Sequence, residues 1–145
     1  MGVAFEAKRI RVFVVDDHAG MRDGINAMLN AQPDMMVAGE ASNGQEAIEK
    51  FRNLQPDVSL VDWNLPIVRG DEVIAILKKE FPEARFIVIT ALNDSDCIRR
   101  AMNLGAQAYL HKDMLRRELI AAIHAVAQGK QYFPEQIVNH LKKGS

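Results

Sequence analysis

Three carboxylates and one ammonium hold most of the chemical promise of this sequence. Asp62 closes the apolar run Val58-Ser59-Leu60-Val61, Asp16 and Asp17 close the run Ile10 to Val15, and Lys112 follows the run Ala106 to Leu110. A fourth run, Arg85 to Ile89, ends in the hydroxyl of Thr90. A lone aspartate at the end of a strand is often only a turn former, and Asn64 and Pro66 do turn the chain after Asp62. Several such ends together suggest more, because the C-terminal ends of strands in an open parallel sheet face the crevice where ligands bind. Three carboxylates brought together there repel one another unless a cation is held between them. Their hard oxygens favour magnesium over zinc. None of the histidines, His18, His111, His124 and His140, has metal-motif spacing to another. With magnesium present, Asp62 is a candidate nucleophile toward phosphorus, forming an acyl phosphate whose oxygens Lys112 and Thr90 stabilise. The plainer alternative is that Lys112 merely neutralises an acidic rim.

Positioning these groups requires strands that alternate with helices. After a leader over residues 1–8, Ile10 to Val15 is a β-branched run suited to a strand covered on both faces. Met21, Ile25, Met28 and Leu29 share one helical face, which should run out before Pro33. Met35 to Glu40 reads as a shorter strand. Asn43-Gly44-Gln45-Glu46 reads as a helix cap with its reciprocal glutamate, ahead of Ala47, Ile48, Phe51 and Leu54. Beyond Asp62, Gly70 frees the backbone before a helical face of Val73, Ile74, Ile76 and Leu77 that ends near Phe81-Pro82. Asp94 or Ser95 caps a short helix through Ile98, Ala101 and Met102, with Leu104-Gly105 as a left-handed stop. Asp113 is expected to cap a helix carrying Leu115, Leu119, Ile120, Ile123 and Val126 up to Gly129. Five strand-helix repeats with short crossovers argue an α/β fold, a parallel five-stranded sheet doubly wound with helices. Residues 9–129 form the expected domain. Residues 130–145, with Ile137, Val138 and Leu141, form a short helical tail or the start of a linker.

The 145 residues suggest one domain, and 48% apolar with 26% charged residues is ordinary for a globular chain. With 18 basic against 19 acidic residues the net charge is −1, which gives no general attraction to nucleic acid, so any DNA-binding part is expected outside the chain. Cys97 is the single cysteine, and its acidic neighbours Asp94 and Asp96 disfavour a thiolate. There is no run of membrane-span length and no signal-peptide core, so a cytoplasmic protein without membrane contact is expected.

Taken together, Val14-Val15-Asp16-Asp17-His18, Asp62-Trp63-Asn64-Leu65-Pro66 with Gly70, Ile89-Thr90-Ala91, Gly105-Ala106 and Tyr109-Leu110-His111-Lys112 resemble the receiver domain of two-component response regulators, over about Arg9 to Gly129. The Asp-Asp-His start and the stretch Gly129-Lys130-Gln131-Tyr132-Phe133-Pro134 resemble the NarL/FixJ subgroup, whose receivers precede a LuxR-type helix-turn-helix domain. The resemblance implies a flavodoxin-like strand order 2-1-3-4-5. It also implies a signalling domain rather than an enzyme, one that assists its own phosphorylation and dephosphorylation. Asp62 would be the phosphoacceptor. Asp17 would be a direct magnesium ligand, Asp16 a ligand through water, and Asn64 a ligand through its carbonyl. Thr90 and Lys112 would bind the phosphoryl group. Implied partners are a sensor histidine kinase or phosphotransfer protein, a second copy in a homodimer, and DNA through an output domain absent here. The chain is expected to be an isolated receiver rather than a stand-alone regulator, and its last two residues a cloning remnant.

Phosphorylation adds about two negative charges, enough to draw Thr90 inward. By resemblance Tyr109 then moves from an exposed to a buried position and alters the face of the fourth helix, fifth strand and fifth helix. A packed aromatic is the competing reading of Tyr109. Trp63 is expected to pack at the rim of the site. Three positions depart from the family's commonest pattern. Arg69 stands where an acid is frequent. Asp113 stands where proline often follows the lysine through a cis bond, leaving the geometry of that bond open. Leu92 is apolar where family members control water access, which points to slow self-dephosphorylation. A magnesium-dependent phosphohydrolase with an aspartyl nucleophile is the rival function, but Asn64 occupies the place of its general acid. A scaffold that is never phosphorylated is the other.

Overall fold

The apolar runs become strands because their β-branched side chains pack on both faces of a pleated surface. The computed structural model describes residues 8–91 and 94–143. Its strands are β1 (Ile10–Val15), β2 (Met35–Ala41), β3 (Val58–Asp62), β4 (Phe86–Thr90) and β5 (Ala108–His111). They form one sheet, all parallel, in the order β2-β1-β3-β4-β5. β3 and β4 are buried along their whole length, as residues covered on both faces must be.

Register is what gathers the strand ends. Val15 pairs with Val61, so Asp16 and Asp62, each one residue further on, come level. Asp62 pairs with Ile89, which leaves Thr90 one residue beyond it. Thr90 pairs with His111, so Lys112 follows directly on the neighbouring strand. The alignment is enforced by burial, since a one-residue slip would turn every core side chain to the opposite face.

The helices are α1 (Ala19–Asn30), α2 (Gly44–Leu54), α3 (Gly70–Glu80), α4 (Ser95–Asn103), α5 (Leu115–Ala127) and α6 (Glu135–Lys143). α2 starts with the expected reciprocal cap: Asn43 Oδ1 accepts from the Glu46 N–H at 2.8 Å. The Glu46 carboxylate reaches one residue further back than the motif requires and accepts from the Ser42 N–H. Asp94 caps α4 through the Asp96 N–H, and Gly105, at φ +92°, ends it in the left-handed region. α5 buries Leu115, Leu119, Ala122, Ile123 and Val126.

Four local expectations are corrected. Ile76 and Met102 are 41% and 40% exposed, so the apolar faces of α3 and α4 are narrower than their sequences suggested. β5 begins at Ala108 rather than Ala106, and β4 at Phe86 rather than Arg85. Asp113 does not cap α5. Instead His111 opens a 3-10 turn over Lys112–Met114, its Nδ1 accepting the Asp113 N–H, and α5 begins after that turn. Trp63 is 1% exposed, a core residue rather than a rim one. No cis peptide bond occurs among the described residues, so Lys112-Asp113 is trans.

The tail folds back onto the domain. The Tyr132 N–H donates to the Gln107 carbonyl at 2.8 Å, and Tyr132 bridges to Ala108 on the outer side of β5. Its hydroxyl donates to Glu118 of α5. α6 then lies against α4 and β5 with Ile137 fully buried, and Arg99 of α4 donates to the Leu141 carbonyl. Among the described residues, no helix is long and apolar enough to cross a membrane.

Candidate functional site

The four strand ends converge as the register requires. Lys112 Nζ lies 3.0 Å from Asp62 Oδ2 and 3.1 Å from Asp16 Oδ2. Asp16 and Asp62 are both buried, whereas Asp17 and Asn64 are exposed at the mouth. Asp62 Oδ1 accepts the Asn64 N–H at 3.1 Å. Carboxylate oxygens of Asp16, Asp17 and Asp62 and a ring nitrogen of His18 lie within 4.8 Å of one another.

Burial dominates the ionisation of Asp62 and raises its pKa above the usual carboxylate value; the bonds from Lys112 and Asn64 pull against it, and Asp16 adds to it. Burial also works against the charge on Lys112, but the hydrogen bond to Asp62 and the close carboxylate of Asp16 outweigh it and raise that pKa. One ammonium thus stands among three acids. Asp16 Oδ2 is fully buried without a partner in hydrogen-bonding geometry, the Lys112 ammonium being its ionic neighbour. A buried carboxylate oxygen short of donors, beside two further acids, is a donor set that a hard divalent cation completes.

Thr90 is fully buried at the end of β4. Tyr109 is also fully buried, its hydroxyl hydrogen-bonded with Thr90, and burial pushes the phenol pKa upward. Of the two positions expected for this ring, the structure shows the inner one. Trp63, next in the chain after Asp62, is buried in the core and shares a side-chain hydrogen bond with Cys97 of α4. Burial, with Asp94 nearby, raises the Cys97 pKa and keeps the thiol protonated. Leu92 lies outside the described residues, as do the leader residues 1–7 and the last two residues.

Two supporting interactions were not legible in the sequence. Arg22 of α1 donates to the Asp16 carbonyl at 2.6 Å and pairs with Glu40, tying the end of β1 to β2. Asp71, buried in the first turn of α3, is held by Arg69 at 3.3 Å and by Arg100 of α4 at 2.9 Å. Arg69, standing where the family resemblance leads one to expect an acid, therefore has a carboxylate partner two residues on. The first turn of a helix favours an acid, but nothing in the spacing pointed to Arg100.

The match to known proteins agrees with this geometry. Residues 12–124 match the family described as the response regulator receiver domain. The chain belongs to that family. Receiver domains are signalling modules of two-component systems, and phosphoryl acceptance is standard for them. The nitrate/nitrite response regulator protein NarL of Escherichia coli K12 is 34% identical over 126 residues, which cover 87% of this chain and 58% of that protein. The chain thus spans little more than half the length of that relative. Among solved structures, a LuxR-family two-component response regulator from Aurantimonas superposes with a TM-score of 0.89 at 27% identity, covering 94% of this chain and 97% of that one. The response regulator RcsB, solved in complex with DNA, superposes at 0.87 with 25% identity over 94% of this receiver and 69% of its own chain.

Proposed function

We propose that Asp62 is the phosphoacceptor of this receiver and that its phosphorylation switches the face made by α4, β5 and α5. The observation that carries the reading is the pairing of a buried carboxylate with the Lys112 ammonium at the mouth of an acidic pocket. An oxygen of ionised Asp62 attacks phosphorus, the bond from phosphorus to the donor's leaving group breaks with its electron pair on that group, and an acyl phosphate results. Lys112 is placed to neutralise the new phosphoryl oxygens, and the Thr90 hydroxyl to donate to one of them. Asp16, Asp17, Asp62 and the Asn64 carbonyl would hold magnesium, which when bound supplies positive charge against the phosphoryl oxygens.

Tyr109 supports the switch reading. A ring this bulky reaches full burial only if the space beside Thr90 is available, and the Thr90–Tyr109 bond couples the two. Movement of Thr90 would therefore be felt by α4. A sensor histidine kinase or phosphotransfer protein is the proposed donor, with small acyl phosphates as substitutes. The RcsB–DNA complex supports an output region outside this chain that binds DNA.

Incubating the chain with magnesium and acetyl phosphate should add one phosphoryl group by intact mass. The adduct should require magnesium and be absent from Asp62→Asn. That variant should remain folded. The Asp62 pKa is raised in the folded state, so ionising it weakens the fold as pH climbs through that pKa, and the amide removes this cost. In magnesium-free buffer at pH 7 the variant should melt no lower than wild type. An adduct that persists in Asp62→Asn, or no adduct in wild type, would remove the assignment.

A further inference from the structure

The metal pocket contains a residue that a hard-cation site does not need. His18 is the N-cap of α1, a position where serine, threonine, aspartate or asparagine usually accepts a helix N–H. Here the side chain makes no such bond. Its ring turns the other way, with Nδ1 3.1 Å from Asp17 Oδ1 and 3.3 Å from Asp16 Oδ1. The backbone N–H of His18 donates to Asp16 Oδ1 at 2.8 Å, which holds the residue against the pocket. The side chain is 70% exposed, so packing against the core does not explain its placement.

We propose that His18 supplies a nitrogen ligand to the cation held by Asp16, Asp17 and Asp62, giving the site a preference for first-row transition metals over magnesium. The inference rests on the reading of this pocket as a metal site. Its ligand atoms meet the distance requirement, since the His18 nitrogen lies within 4.8 Å of an oxygen from each of the three acids. Imidazole adds little for magnesium, which takes oxygen ligands and holds its water tightly. It adds little more for manganese, itself an oxygen-preferring ion, and much for cobalt or nickel, since affinity for such a site rises from manganese through cobalt to nickel. A pocket with oxygen donors alone would rank these cations less steeply.

The test compares wild type with His18→Ala, using Mg2+, Mn2+ and Co2+ as chloride salts. Binding is read by Trp63 fluorescence and calorimetry, and the ligand by pulsed EPR of bound Mn2+. The substitution leaves the fold intact because the side chain neither caps α1 nor packs against the core. Wild type should show nitrogen modulation from one imidazole that disappears in the variant. Co2+ affinity should fall by at least about tenfold, the loss that follows even when a group merely orienting a ligand is removed. Mg2+ affinity should stay unchanged. Equal Co2+ affinity in both proteins, or a nitrogen signal that survives in His18→Ala, overturns the role of His18 and leaves the metal pocket standing. Tighter binding of all three cations by the variant overturns it too, by showing the imidazole to be a competitor. No binding of any cation to wild type overturns the pocket itself.

Discussion

Gly70→Ala is expected to lower the stability of the chain by about 3 kcal/mol, at the upper end of what overpacking costs, and to abolish adduct formation at Asp62. A β-carbon at position 70 would sit 2.3 Å from the Asp62 carbonyl oxygen, 2.8 Å from Trp63 Cα and 3.0 Å from the Trp63 oxygen. All three atoms are backbone, so no side chain can swing aside. The chain is also tethered there, because the Gly70 N–H donates to the Trp63 carbonyl at 3.0 Å. Relief requires either the first turn of α3 or the end of β3 to move. The second displaces the Asp62 carboxylate from Lys112 and Asp16, and the first breaks the Asp71 contacts with Arg69 and Arg100. Urea unfolding measures the stability change, and intact mass after acetyl phosphate measures the adduct. A variant with the wild-type midpoint and normal phosphorylation would show that this contact is softer than its geometry implies.

Lys112→Met should produce the next largest effect, and one that depends on both pH and metal. Methionine keeps much of the length of the side chain but leaves Asp16 and Asp62, both buried, with no ammonium between them. Removing one partner of a buried ion pair costs about 3–5 kcal/mol. The sign of the pH dependence follows from Asp62. Its folded pKa is already raised, and losing the Lys112 bond raises it further. The deficit should therefore be small below the unfolded carboxylate pKa, grow as pH rises towards the higher folded pKa, and be complete only above it. Millimolar magnesium should recover part of the loss, since a ligand of the native state alone stabilises it by mass action. Thermal melts from pH 4 to 8, with and without magnesium, test all three statements. A deficit independent of pH would mean that Lys112 acts through packing.

What the sequence disclosed was set by the parallel sheet. Asp16, Asp62, Thr90 and Lys112 were readable as one group because each ends an apolar run, and register made them level. Cap chemistry at Asn43 and the glycine stop at Gly105 were equally local, hence legible. Asp113 misled because an acid before an apolar helical face looks like a cap, whereas His111 had already bent the chain into a 3-10 turn. Ile76 and Met102 misled because a helical face read from spacing has no measured width. Arg22, Arg100 and the inner position of Tyr109 depend on elements far apart in the chain, and spacing carries no trace of such contacts. His18 was set aside for want of a second histidine, although its neighbours Asp16 and Asp17 were the partners to consider.

The tail has a consequence for how this protein should be cut. Residues 12–124 carry the family match, and a chain ending at Gly129 would retain them all. It would lose Tyr132, whose main chain bridges to Ala108 on the outer side of β5, and Ile137, the fully buried residue of the helix that lies against α4 and β5. An uncovered edge strand offers its amides and carbonyls to any other strand nearby, and other copies of the same protein are the most abundant source. Such a fragment should remain folded when dilute but self-associate as its concentration rises, which sedimentation across a concentration series would reveal. In the longer chain the same segment should hold that tendency down, because Tyr132 already occupies part of the β5 edge.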